Sequence, residues 1–179
     1  NLHLSIKLQN GSYVSLGRNY NLEQTFQPFQ IHPTTTIMPG LYTFEENFLM
    51  VATDISQMLS GNGRFSRGPF FSGTRQSVSL GATLKLGARL TAQTVWSYND
   101  IELKEGAFDT HLLSTQFTYA FNTRMFLRGF IQYNSVTEEW SSNIRFNIIH
   151  RPLSDFFLVY NDRYDNTGRI VDRALIAKL

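Results

Sequence analysis

The residues that invite chemistry are four histidines: His3, His32, His111 and His150. None stands at metal-ligand spacing from another, and the chain has no cysteine to supply a thiolate. His3 and His150 fall in strand-like segments and His32 in a proline-rich stretch, where ordinary structural or loop roles account for them. His111 with Ser114 is the one pairing that suggests a hydrolase. A triad also needs an orienting acid and an oxyanion site, and the sequence marks neither. Gly61-Asn62-Gly63-Arg64 lacks the Gly-Lys-Ser/Thr ending and following helix of a phosphate loop. Asp100, Glu102, Glu105, Asp109, Glu138, Glu139, Asp162, Asp165 and Asp172 crowd polar stretches. Oxygen ligands suit hard divalent cations, but solvated loop charge is the simpler account. The expectation is no catalytic residue, no metal site, no cofactor and no enzyme.

A second set is more orderly. Lys7, Lys85, Arg128, Arg145 and Lys178 each stand on the polar side of a segment that alternates with period two. Leu2, Leu4, Ile6 and Leu8 oppose His3, Ser5, Lys7 and Gln9. Val78, Leu80, Ala82, Leu84 and Leu86 oppose Ser77, Ser79, Gly81, Thr83 and Lys85. Leu127, Ile131 and Tyr133 oppose Arg128, Gln132 and Asn134, and Ile144, Phe146 and Ile148 oppose Asn143, Arg145 and Asn147. Such alternation predicts strands with one apolar face.

About eleven strands follow from this pattern. Their connections are predicted to alternate between tight and long. Asn10-Gly11 supplies the dihedrals of a type I′ turn. Further tight turns are expected at Asp54–Gln57, Gly87-Ala88, Asn122-Thr123 and Arg151–Ser154. Long loops are expected at Glu23–Gly40, Arg67–Arg75, Asp100–Asp109, Ser135–Glu139 and Asp162–Asp172. That order belongs to barrels of the bacterial outer membrane, with short periplasmic turns and long extracellular loops. Strands of about 9–11 residues suffice to cross a bilayer at a steep tilt.

Composition agrees. Aromatic residues make up 14% of the 179 residues, led by Phe 15 and Tyr 8. Tyr20, Tyr42, Trp96, Tyr98, Tyr133, Trp140 and Tyr160 fall near the long-loop ends, and Tyr119, Phe121 and Phe156 near the short turns, as two interfacial girdles would. A charge on the lipid side costs about 2–4 kcal/mol at the midplane. The five cations are therefore expected to line the lumen. The net charge of +2 is too small to suggest nucleic acid. A soluble β-domain would also have one apolar strand face, but it would leave the loop asymmetry unexplained. Single-chain bacterial barrels close with even strand numbers. Eleven strands and a start at Asn1 read as residues 1–179 of one outer-membrane β-barrel domain whose first strands precede this sequence.

Three phrases carry a family resemblance. They are Pro39-Gly40-Leu41-Tyr42-Thr43-Phe44, the stretch Phe126–Asn134 (Phe-Leu-Arg-Gly-Phe-Ile-Gln-Tyr-Asn), and the stretch His150–Asn161 (His-Arg-Pro-Leu-Ser-Asp-Phe-Phe-Leu-Val-Tyr-Asn). Together they resemble the C-terminal barrel of the domain of unknown function 5916, over most of the chain from about Phe26. Leu153 stands where that pattern has Gly, and His150 where it has Tyr. The resemblance implies an N-terminal module similar to a family 9 carbohydrate-binding domain, outside this sequence. It brings no settled biochemical role.

The expected function is a pore or membrane anchor in the bacterial outer membrane, associated with carbohydrate uptake or binding. Its expected partners are the lipid bilayer, lipopolysaccharide and a carbohydrate ligand. The alternatives are a surface glycan-binding protein without a conducting pore, whose Glu23–Gly40 loop holds glycans, and an outer-membrane hydrolase.

Overall fold

The computed structural model describes residues 1–151 and 154–178. The expected Arg151–Ser154 turn thus has its centre, Pro152 and Leu153, outside the described residues. The chain is all-β. Eleven strands form one antiparallel sheet: β1 (Leu2–Lys7), β2 (Tyr13–Thr25), β5 (Gly40–Ala52), β6 (Leu59–Phe70), β7 (Gly73–Leu86), β8 (Leu90–Leu103), β9 (Gly106–Asn122), β10 (Met125–Asn134), β11 (Glu139–Arg151), β12 (Ser154–Tyr164) and β13 (Ile170–Lys178). Each pairs with its neighbour in sequence, and β1 and β13 are the edges. Between β2 and β5 the chain forms a separate two-stranded hairpin, β3 (Phe29–His32) and β4 (Thr35–Ile37).

The contacts fall into two compact units. One is Asn1–Asp54 with Gly61–Leu80 and Ser97–His111; the other is Ile55–Ser60, Gly81–Trp96 and Leu112–Leu179. In the first, register sets Leu4 against Leu16 and Ile6 against Val14, and then Leu16 against Leu49 and Val14 against Val51. In the second, Leu127 meets Phe146, which meets Leu158; Ile144 meets Tyr160, which meets Leu175. In these pairs apolar side chains meet apolar ones across the ladder. A one-residue slip would reverse this, so the alternation itself fixes the register.

The apolar columns are not covered by protein. Leu2 is 78% exposed, Leu4 68%, Leu16 56% and Leu175 67%. Among the described residues the buried apolar side chains are only Ile37, Ala52 and Ile101. Apolar burial stabilises by roughly 25 cal/mol per Å², and this sheet forgoes most of that gain within the chain. Ladder hydrogen bonds and cross-strand contacts hold it instead.

Polar rows interrupt the apolar face in both units, and in the second unit Ser142 opposes Asp162, which opposes Arg173. In the first, Arg18 opposes Asn47, and Asn47 opposes Arg67. Arg18 Nε donates to Asn47 Oδ1 at 2.9 Å, and Arg18 Nη1 lies 2.7 Å from Glu45 Oε1.

Two of the expected long loops are not loops. The segment Arg67–Arg75 belongs to β6 and β7 except for Phe71 and Ser72, and Asp100–Asp109 belongs to β8 and β9 except for Lys104 and Glu105. Polar residues there continue the ladder as extended ribbons, so the difference between the two ends lies largely in strand length. Glu23–Gly40 contains the end of β2 and the hairpin. The strict alternation of tight and long connections is corrected accordingly.

Two glycines permit the ribbons to close. A Cβ on Gly68 would lie 2.0 Å from the Glu45 carbonyl oxygen, and one on Gly73 1.9 Å from that of Glu102. Backbone cannot yield as a side chain would. Gly68→Ala and Gly73→Ala are each expected to destabilise by about 1–3 kcal/mol, as overpacking does. Gly87→Asn is the control: Gly87 sits at φ 57° in open space, a conformation Asn tolerates, and its expected change is within about 0.5 kcal/mol. Thermal unfolding followed by circular dichroism reads the difference.

Candidate functional site

The second unit places the polar side chains in rows. One row runs Thr118, Arg128, Arg145, Val159, Ile176; the next runs Ala120, Phe126, Asn147, Phe157, Lys178. Arg128 therefore faces Arg145 directly. Arg145 Nε donates to Asn147 Oδ1 at 2.7 Å, and its guanidinium carbon lies 4.2 Å from the Phe157 ring centre. The guanidinium carbon of Arg128 lies 4.9 Å from the Phe126 ring centre. Both side chains lean onto the second row, where Lys178 stands opposite Phe157. Among the described residues none of these three cations forms an ion pair. Asp155 is the acid two residues before Phe157 on the same face, and it too forms no ion pair among the described residues. Beside Arg128 a cleft of about 290 Å³ is lined by Gln93, Gln116, Thr118 and Asn143. Gln116 Nε2 donates to Gln93 Oε1 at 3.0 Å. In the same unit Lys85 Nζ donates to the Ile55 carbonyl at 2.6 Å.

In the first unit the polar face has one carboxylate between two arginines. Glu46 lies 3.1 Å from Arg64 Nη2 and 3.9 Å from Arg75 Nη2, and it accepts from Asn19 Nδ2 at 3.4 Å. The arginines also stack, Arg64 at 4.1 Å over Phe48 and Arg75 at 4.4 Å over Phe70. Lys7 opposes Tyr13 at the end of β1. Sequence reasoning missed the Glu46 cluster. The alternation Phe44, Glu46, Phe48 in β5 would have put Glu46 on the polar face, and no sequence signal names its partners on β6 and β7.

The hairpin packs on this unit's polar face. Phe71, in the turn between β6 and β7, has φ 48°. Its ring centre lies 5.5 Å from Phe29, 5.1 Å from Tyr42, 5.2 Å from Phe44 and 4.7 Å from Phe70. A bulky residue at positive φ costs about 1–3 kcal/mol. Each aromatic pair returns about 0.5–1.5 kcal/mol, so the cluster offsets the strain. His32 stacks on Phe108 at 4.3 Å, and Thr35 and Ile37 are fully buried.

The other expected residues divide by face. Tyr20, Trp96, Tyr98, Tyr133, Trp140 and Tyr160 share the apolar columns; Tyr133 opposes Trp140 with ring centres 5.0 Å apart. Tyr42 does not join them: it opposes Glu23 and turns to Phe71 on the polar face. His111 lies 4.7 Å from Tyr98 and 3.2 Å from Asp109. Ser114 is three residues further along the same strand. It therefore points to the opposite face, and β9 does not bring nucleophile and base together.

No family model, curated protein or solved structure matches the chain.

Two predictions follow from these contacts. Phe71→Ala removes the ring cluster, and Phe71→Gly removes it while relaxing the backbone. Both should speed proteolytic cleavage within residues 26–39 several-fold, and unchanged cleavage would show that the hairpin is held by other contacts. The second concerns the turn between β12 and β13. The Asp165 carboxylate accepts from the Thr167 hydroxyl and from the amides of Thr167 and Arg169 at 2.6, 3.0 and 2.9 Å. The Thr167 hydroxyl, first, and the two amides hold its pKa below the ordinary value. A depressed carboxylate stabilises above its unfolded pKa and loses that contribution as pH falls through the folded one. Hydrogen-exchange protection of those amides should persist as pH falls through the ordinary carboxylate range and be lost only below it. Asp165→Asn should remove that acid transition.

Proposed function

We propose that this chain is part of a β-barrel of the bacterial outer membrane, acting as a pore or membrane anchor. The observation that carries this reading is the exposed apolar face, built on leucines more than half exposed and backed by a polar face on the same strands. An apolar surface of that extent needs a cover. Acyl chains supply one without any further fold, and aromatic rings at both ends of the apolar columns suit the membrane interfaces. On that face Arg18 is paired with Glu45 and hydrogen-bonded to Asn47. A barrel also requires the outer edges of β1 and β13 to be paired, directly or through further strands, because no open edge survives in hydrocarbon.

The resemblance to the domain of unknown function 5916 adds an association with carbohydrate uptake or binding. Lipopolysaccharide would surround the extracellular end. The second reading is a surface glycan-binding protein without a conducting pore. It is favoured by the β3–β4 hairpin, whose Phe29 ring joins the aromatic cluster around Phe71.

Charge placement tests the reading. Leu16→Arg puts a charge on the proposed lipid face, at an expected cost of about 2–4 kcal/mol near the midplane. Gln132→Arg puts one on the polar face. The full-length protein carrying Leu16→Arg should fail to accumulate in outer-membrane fractions, and the Gln132→Arg protein should accumulate normally. Equal accumulation, or a wild-type protein that stays dissolved and monomeric without detergent, would refute the membrane reading. Planar-bilayer recordings then separate pore from anchor by the presence or absence of conductance.

A further inference from the structure

We infer that Arg128, Arg145 and Lys178 form a binding site for a phosphate-bearing solute on the polar face of β10, β11, β12 and β13. The role in transport rests on the pore reading above; the binding itself does not. Three observations carry it. Like charges at directly opposed strand positions are destabilising, and Arg128 opposes Arg145 in register. The chain leaves that repulsion without a carboxylate among the described residues, whereas it places Glu46 between Arg64 and Arg75. A missing counter-charge at one cation pair and its presence at another indicate that the anion at the first comes from outside.

The second observation is donor supply. A guanidinium carries five N–H donors in a fixed fork. Among the described residues Arg145 uses its Nε on Asn147, which leaves the two Nη groups, and no hydrogen bond of Arg128 is made to protein. Lys178 adds an ammonium in the adjoining row. Paired forks of this kind match the oxygens of phosphate.

The third is orientation. Phe126 and Phe157 lie under the two guanidinium groups at 4.9 and 4.2 Å. Stacking restrains the guanidinium groups and leaves their edge donors free to bind. A lysine in either position would keep the charge and lose the fork. The polar face, opposite the apolar columns, favours a dissolved phosphate or phosphorylated solute over a lipid headgroup.

Equilibrium dialysis of the full-length protein in phosphate-free detergent, with labelled inorganic phosphate at fixed ionic strength, tests the site. The double variant Arg128→Gln, Arg145→Gln should bind at least ten-fold more weakly, and Arg128→Lys, Arg145→Lys should fall between it and the wild type. Arg169→Gln removes a loop charge and should change nothing. No binding by the wild type, equal binding by the double variant, or an equal loss in Arg169→Gln would overturn the proposal. Should the double variant not fold, protection of Arg128 and Arg145 from phenylglyoxal by phosphate in the wild type decides; unprotected arginines overturn it. Competition by anionic phospholipid micelles but not by phosphate would assign the cations to lipid and also overturn it. Phosphate binding without any bilayer conductance would remove the pore and keep the site. Conductance without phosphate binding would do the reverse.

Discussion

An uncovered apolar face is the constraint on which this structure depends. Period-two alternation gives every strand of the sheet two chemically different sides. In a soluble sandwich the apolar side of one sheet packs on that of another. Here the strands of the large sheet pair in sequence order, and among the described residues their apolar side stays exposed. The leucines of β1, β2 and β13 therefore depend on surroundings outside the chain, while the polar face carries the internal organisation. The same rule that exposes the leucines collects Arg128, Arg145, Glu46, Arg64 and Arg75 on the opposite side.

That division changes what a buried core normally does. Register is fixed by matching columns rather than by interior packing, and backbone passes too close to Gly68 and Gly73, at Glu45 and Glu102, to admit a Cβ. The aromatic cluster around Phe71 is the nearest thing to a core. It ties the hairpin to β5 and β6 with five rings, one of them held at positive φ. Strain at one residue is tolerable because four neighbours share it.

Much of this was legible in the sequence, because alternation is a local signal. The eleven sheet strands and the faces of Arg128, Arg145, Leu127 and Ile144 follow from period two alone. Polarity misled where it was taken for a loop. Arg67, Pro69, Asp100 and Glu102 look like connection residues, yet they extend β6 and β8, since a solvated ladder hydrogen bond does not require apolar neighbours. Thr35 and Ile37 could not be foreseen as buried, because a hairpin inside a proline-rich stretch is fixed by the surface it lands on. Tyr42 went to the polar face for the same reason: its position in β5 was clear only once Glu23 was known to oppose it. The Glu46 cluster depends on contacts across three strands, which no single segment encodes.

The contrast between the two arginine pairs bears on how the polar face works. Arg64 and Arg75 share Glu46, so part of their charge is balanced inside the protein, and they stack on Phe48 and Phe70. Arg128 and Arg145 have the same aromatic support without the acid. Stacking alone fixes direction without cancelling charge. Lys178 adds to that charge from the next row. The cost of assembling three like charges falls on the folded sheet whenever no anion is present. A solute that relieves it binds with the repulsion already built in, so the cluster favours phosphate over a neutral sugar of the same size.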